Sequence, residues 1–169
     1  NLTTNRSKKV LLSAYVDYSQ SVIGTPVVVD SRIGNEISIR LSNKFRVNYE
    51  LYYATQNNMP GYVSTDEVTS DIYMGLRDRK TLVNTFESSY NLTENMSANL
   101  RLRHYWSVAT YDDFFVLTAD GNLAPSDFVS DDLNYNALNI DFTYRWSFAK
   151  GSEIAVNWQY AIMHNGTQI

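Results

Sequence analysis

Arg101 and Arg103 lie two residues apart in Arg101-Leu102-Arg103-His104-Tyr105-Trp106. On an extended chain that spacing puts both guanidinium groups on one face, with Tyr105 beside them. Fixed positive charge on such a face attracts anionic or hydroxylated solutes. Arg46, Glu50, Glu87, Asp141 and Arg145 take the equivalent positions in other alternating segments, together with Asp17, Arg40 and Glu153. The mixed signs allow two readings: ion pairs that hydrate or plug a wall, or a lining that selects what passes it. Tyr15, Tyr52, Tyr105 and Tyr135 share that face and either stack on sugars or fill the wall.

A second cluster is acidic. Asp112, Asp113, Asp120, Asp127, Asp131 and Asp132 fall between Tyr111 and Asn134 without an intervening Lys or Arg. Clustered carboxylates suit hard cations such as Ca²⁺, so these residues are candidates for a cation site or for divalent bridges to lipopolysaccharide. Their spacing fits no EF-hand, and solvated surface carboxylates explain them equally. Phe114, Phe115, Phe128 and Val129 make the same stretch apolar enough to fold down or to dock a partner.

Catalytic constellations are missing. The two histidines, His104 and His164, are far apart in sequence, and cysteine is absent. No Gly-x-Ser-x-Gly elbow and no glycine-rich phosphate loop occurs. No enzymatic activity and no cofactor are therefore expected. Asn-x-Ser/Thr triplets begin at Asn1, Asn91, Asn95 and Asn165, which signals only polar turns in a bacterial protein.

The elements that position these residues follow from period-two alternation. Val10, Leu12, Ala14, Val16 and Tyr18 oppose Leu11, Ser13, Tyr15, Asp17 and Ser19. A second run, starting near Val27, sets Ile37, Ile39 and Leu41 against Ser38 and Arg40. A third sets Phe45, Val47, Tyr49, Leu51 and Tyr53 against Arg46, Asn48, Glu50, Tyr52 and Ala54. Further runs follow over Leu82–Tyr90, where Asn84 interrupts the apolar face, and over Met96–Val108, Leu138–Trp146 and Ile154–Ile162. Seven strands of about ten residues match the length that crosses a bilayer at a tilt.

Short turns at Ser42–Lys44, Asn91–Asn95 and Phe148–Ser152 alternate with long connections near Gln20–Val29, Gln56–Lys80 and Tyr111–Asn134, the asymmetry of an outer-membrane barrel. To keep that parity, Asp71–Leu76 must extend the Leu82–Tyr90 strand beyond the membrane or belong to the connection. Tyr18, Phe45, Tyr90, Trp106, Tyr144, Trp146, Trp158 and Tyr160 lie on the apolar face, as aromatics at a lipid interface do. A soluble β-sandwich also alternates, but its strands are usually about five or six residues long.

Bulk composition agrees. The chain has 169 residues with 13 Tyr, 3 Trp and 7 Phe. Its mean hydropathy is -0.33, and no apolar run reaches the length of a membrane helix. A barrel keeps such a polar average because only alternate residues meet lipid. The net charge of -4 argues against nucleic-acid binding.

The segments Asn91-Leu92-Thr93-Glu94-Asn95-Met96-Ser97 through Trp106, Asn134-Tyr135-Asn136-Ala137-Leu138-Asn139-Ile140-Asp141, and Tyr144-Arg145-Trp146-Ser147-Phe148-Ala149-Lys150-Gly151-Ser152-Glu153 resemble the C-terminal barrel of a domain-of-unknown-function family in Gram-negative outer-membrane proteins. The resemblance is strongest from Thr81 to Ile162. It implies an outer-membrane location and carbohydrate handling, since members carry a family-nine-like carbohydrate-binding module ahead of the barrel, and it assigns no catalytic residues. Residues 1–169 are then expected to form one all-β domain, the C-terminal part of a larger antiparallel barrel. Seven strands would leave two open edges, so further strands are expected on both sides.

The expected function is a membrane anchor or conduit. The alternative is a non-transporting barrel subunit that docks partners through its external loops. Expected partners are membrane lipid and lipopolysaccharide, other outer-membrane proteins, and glycans reached through the upstream module.

Overall fold

The computed structural model describes residues 2–4, 8–21 and 27–166. Among them are nine strands and no helix: β1 (Leu2–Thr3), β2 (Val10–Ser21), β3 (Val28–Arg40), β4 (Phe45–Thr65), β5 (Ile72–Thr93), β6 (Met96–Leu117), β7 (Leu123–Pro125), β8 (Leu133–Ala149) and β9 (Ser152–Gly166). They form one antiparallel sheet in the order β1-β2-β3-β4-β5-β6-β8-β9, with β7 paired to the end of β6. All seven expected strands are present. The two additional ones, β1 and β7, are too short to show alternation.

The strands are longer than their alternating cores suggested. Both β5 and β6 have 22 residues, twice the roughly ten of a tilted membrane crossing. The connection expected over Gln56–Lys80 is mostly strand: β4 runs on to Thr65 and β5 begins at Ile72, so all of Asp71–Leu76 but Asp71 itself belongs to β5. The stretch Tyr111–Asn134 is likewise shortened by β6 and β7. The Gln20–Val29 connection narrows from both sides; residues 22–26 and Asn1 lie outside the described residues.

Two irregularities explain why alternation stops before the strands do. A bulge between Gln56 and Met59 shifts the β4–β5 register, and Asn58 takes a positive φ of 57° there. Asn tolerates that left-handed conformation. The Asn58 N–H donates to Asp78 Oδ1 at 2.9 Å, and its side-chain amide donates to the Val27 carbonyl at 3.1 Å. Pro60 follows within the strand, paired in register with Leu76. A second shift between Leu76 and Arg77 changes parity again against β6.

Directly paired residues share a face, so the register defines two faces. Asp17, Arg32, Ala54, Thr81, Ser107 and Tyr135 form one row across β2 to β8. Val16, Ile33, Tyr53, Leu82, Trp106 and Asn136 form the row beside it on the other face. Every substantial contact between strands joins hydrogen-bonded neighbours, so no second layer covers either face among the described residues. That rules out the two packed sheets of a sandwich for this region. The sheet is also open: β1 and β9 do not pair with each other among the described residues.

Burial is inverted. Ala54, Ala109, Ala137, Thr81 and Thr85 are buried on the charged face, whereas on the apolar one Val108 is buried but Val16 is 74% exposed and Ile33 52% exposed. Gly34 shows how closely the charged face is packed. A Cβ there would lie 2.2 Å from Tyr15 Cε1, because the Tyr15 ring covers the glycine directly opposite it. Asp66 closes the β4–β5 turn by accepting from the Val68 and Thr69 N–H groups at 2.7 and 2.9 Å. These bonds, the one from Thr69 first, hold its carboxyl below the ordinary carboxylate range.

Gly34→Ala displaces the Tyr15 ring and is expected to destabilise the sheet by about 1–3 kcal/mol. In a Tyr15→Ala background the same substitution is expected to cost little, so a double-mutant cycle from urea unfolding reads the coupling. Because the Asp66 pKa is depressed, its contribution to the turn is present above the ordinary carboxyl range and lost as pH falls through the folded-state value. Amide exchange at Val68 and Thr69, corrected for its intrinsic pH dependence, should rise in acid, and Asp66→Ala should remove that pH response.

Candidate functional site

The charged face holds every residue assigned to it from the sequence. Arg46, Glu50, Glu87, Arg101, Arg103, Tyr105 and Asp141 follow from direct pairing, and Arg145 lies opposite Ser97 in the same parity. The ion-pair lattice is sparse. Arg101 Nε meets Glu87 Oε1 at 3.3 Å and Arg145 Nε meets Glu153 Oε1 at 3.2 Å, each between half-exposed side chains. Arg32 pairs with Asp30. Other registers set like charges opposite one another: Arg40 faces Arg46, and Glu36 faces Glu50.

Among the hollows on this face, two adjoin the Arg103–Tyr105 segment. The first, about 520 Å³, runs from Arg32 on β3 to Arg103 and Tyr105 on β6 and includes Glu50. The second, about 470 Å³, lies between β5, β6 and β8 and is lined by Arg77, Arg79, Arg103, Tyr105 and Tyr135 among others. Arg79 donates to Gln56, which in turn donates to Asp30 Oδ2 at 3.1 Å, so one network joins β3, β4 and β5. Tyr105 and Tyr135 meet edge to face at 5.6 Å. Arg32, Arg77 and Arg79 were missed in the sequence, the last two because they fall in the stretch read as a connection. The alternation Gly75, Arg77, Arg79, Thr81 was the available signal.

Beyond the hollows the face becomes aromatic. Phe128, from the segment between β7 and β8, stacks on Tyr73 at 4.2 Å and meets Phe114 edge to face at 5.6 Å; Phe114 stacks on Tyr111 at 5.6 Å. The acidic stretch does fold down, through Phe128. Its aspartates are dispersed: Asp113 is paired in register with Leu76, Asp120 accepts from Thr118 and Asn122, and Asp132 accepts the Tyr111 N–H. Among the described residues no three acidic or histidine side chains gather to hold a metal ion.

The apolar face carries Tyr18, Phe45, Tyr90, Trp106, Tyr144, Trp146, Trp158 and Tyr160, with Tyr18, Tyr90, Trp146, Trp158 and Tyr160 exposed. Phe45, Tyr90, Tyr144 and Trp146 sit near the short turns, and Phe45 meets Tyr90 edge to face at 5.4 Å. Trp158 and Tyr160 lie mid-strand, opposite Phe142 and Ile140.

His104, on the same face as Trp106, joins a chain of side-chain hydrogen bonds. Tyr49 Oη donates to Asn84 Oδ1 at 2.7 Å, Asn84 Nδ2 reaches His104 Nδ1 at 3.4 Å, and His104 Nε2 reaches Asn136 Oδ1 at 3.0 Å. A neutral imidazole protonated at Nε2 satisfies each bond in that chain. Asn84, which interrupts the alternation, is thus the middle of a polar relay across β4, β5, β6 and β8.

The chain belongs to the family described as a domain of unknown function, DUF5916, which it matches over residues 1–169. It is also 30% identical over 81 residues to a protein of Synechocystis sp. named "Uncharacterized glycosyltransferase sll0501". That stretch covers 48% of this chain and 26% of the relative, so the match spans about a quarter of the longer protein. No solved structure matches the chain.

Exposed ion pairs contribute about 0–1 kcal/mol. Glu87→Gln is therefore expected to change unfolding free energy by less than about 1 kcal/mol, and the same loss should follow from Arg101→Gln. A loss above that range in either variant would mean that this pair, rather than the backbone ladder, holds β5 to β6.

Proposed function

We propose that this chain forms part of the wall of a transmembrane β-barrel in a bacterial outer membrane, and that it serves as a conduit or anchor there. The observation that carries the reading is the inverted burial of a single-layer sheet. From the short turns up to the Tyr53–Leu82–Trp106 row the apolar face has no Lys, Arg, Asp or Glu, its charges Lys80 and Asp78 lying beyond that row, whereas the opposite face is hollowed and charged. Each large apolar side chain left in water forgoes about 1.5–3 kcal/mol. A domain's whole stability is only about 5–15 kcal/mol. Exposing Val16, Ile33, Val156, Trp158 and Ile162 together to water would consume much of that; lipid removes the penalty.

Immersion requires the β1/β2 and β9 edges to be covered, because unpaired backbone groups are not tolerated in hydrocarbon. Closure with additional strands meets that need and makes the charged face a lumen wall. The resemblance to barrels that follow a family-nine-like carbohydrate-binding module supports glycan-derived cargo, and the phenol rings of Tyr105 and Tyr135 give such cargo apolar surfaces to touch. No enzymatic step is proposed. The name of the Synechocystis relative describes that protein, and among the described residues His104 is bonded to Asn84 and Asn136 rather than to a nucleophile. The long β4–β5–β6 extensions also favour a second reading, in which this part of the barrel stands above the lipid and docks other outer-membrane proteins.

The test is reconstitution of the intact protein in phospholipid vesicles. Ile140→Arg, mid-strand on the apolar face, should lower stability by about 2–4 kcal/mol. Asn139→Arg, one residue away on the charged face, should lower it far less. Equal losses, or failure of the protein to enter vesicles, would sink the membrane reading. Ion conductance across planar bilayers separates conduit from anchor.

A further inference from the structure

The hollow between β5, β6 and β8 is lined by three arginines, Arg77, Arg79 and Arg103, and by no carboxylate. The chain as a whole carries a net charge of -4, so this concentration of positive charge is local. Glu50 lies in the adjoining hollow, which Arg79 and Arg103 also line, and three other acidic side chains are engaged elsewhere. Glu87 pairs with Arg101, Asp30 pairs with Arg32, and Asp78 accepts the Asn58 N–H. Arg103 makes no hydrogen bond or ion pair among the described residues, although Asp141 lies diagonally across from it. The Nε atoms of Arg77 and Arg79 are shielded from solvent and lack any hydrogen-bond partner.

A guanidinium with a buried, unused Nε–H is costly unless something accepts from it. Two of the three arginines, Arg77 and Arg79, carry such a group, and stability alone does not account for all three around one space, because like charges repel and none makes a direct ion pair; Arg79 reaches Asp30 only through Gln56. An oxyanion does account for them. Carboxylate and phosphate oxygens match the planar fork of Nε–H and Nη–H, and such charge-assisted bonds are the strong ones. Ser107, Asn139 and the Tyr105 and Tyr135 phenols add neutral donors and ring surface to the same hollow. Its volume, about 470 Å³, lies in the range of small-molecule sites.

We propose that this hollow is a binding site for a small polyanionic solute, one carrying at least two carboxylate or phosphate groups. Arg77 and Arg79 on β5 and Arg103 on β6 bind the oxyanions, while Tyr105 and Tyr135 contact the body of the solute. This deepens the conduit reading, and rests on it, by naming the class of cargo that the wall would select.

The experiment is titration calorimetry on the intact protein in detergent micelles, with pyrophosphate, trigalacturonate and the uncharged sugar maltotriose as probes. At least one of the two charged probes is expected to bind and maltotriose is not; which one binds separates a phosphate-bearing from a carboxylate-bearing solute. Arg79→Gln and Arg103→Gln should each weaken binding about 10- to 100-fold, matching loss of a charge-assisted bond. Raising salt should weaken binding further. Arg46→Gln, on the same face but outside the hollow, should leave it unchanged, and unaltered far-UV spectra check that the variants fold. The proposal is overturned if neither charged probe binds, if maltotriose binds as well as they do, or if the hollow variants bind like the parent. A protein that enters vesicles but binds no anion overturns this proposal alone, whereas one that binds anions but never enters lipid overturns the membrane reading alone.

Discussion

From β2 to β9 neighbouring strands pair their backbone N–H and C=O groups in one continuous antiparallel sheet, and among the described residues that pairing is the only substantial connection between one strand and the next. Everything else depends on it. Without a second layer, no hydrophobic core dictates which side chains face which way; register does so alone. Side chains alternate with period two, so a slip of one residue would exchange the two faces completely. Pins against such a slip are therefore local, as where the Tyr15 ring closes over Gly34.

The same constraint explains how polar groups are handled on each face. On the apolar side, polar residues must satisfy one another, and Tyr49, Asn84, His104 and Asn136 do so in a directed chain of hydrogen bonds. On the charged side, water can solvate what is unpaired, which permits Arg40 to sit opposite Arg46 and leaves the surviving ion pairs half-exposed and weak. Two arginines of the β5–β6–β8 hollow, Arg77 and Arg79, stand apart from both regimes: their Nε atoms are shielded from solvent without a partner, yet no carboxylate lines the hollow with them.

Much of the fold was legible because alternation is a direct consequence of strand geometry. Phe45 to Ala54 and Met96 to Val108 read without ambiguity, and the turn at Ser42–Lys44 lies where expected, whereas the turns expected over Asn91–Asn95 and Phe148–Ser152 are narrowed by the strands to Glu94–Asn95 and Lys150–Gly151. Legibility failed where the backbone departs from period two. The left-handed bulge at Asn58 and the shifts at Tyr62/Ser64 and Leu76/Arg77 each reset parity, so a continuous pair of long strands read as a connection. Arg77 and Arg79 were lost with it. Asn84 failed differently: taken alone it is a polar error on an apolar face, and only three neighbouring strands show its bonds.

By itself the sequence determined the strands, the two faces they present and which residues are charged on one and aromatic on the other, because those properties repeat within a few residues along a single chain. Tertiary structure alone decided which strands extend past their alternating cores, that the acidic stretch returns through Phe128 onto Tyr73, and that Arg103 shares a hollow with Arg77 and Arg79. Those facts join residues distant in sequence through the pairing register, and register is a relation between strands that no one strand carries.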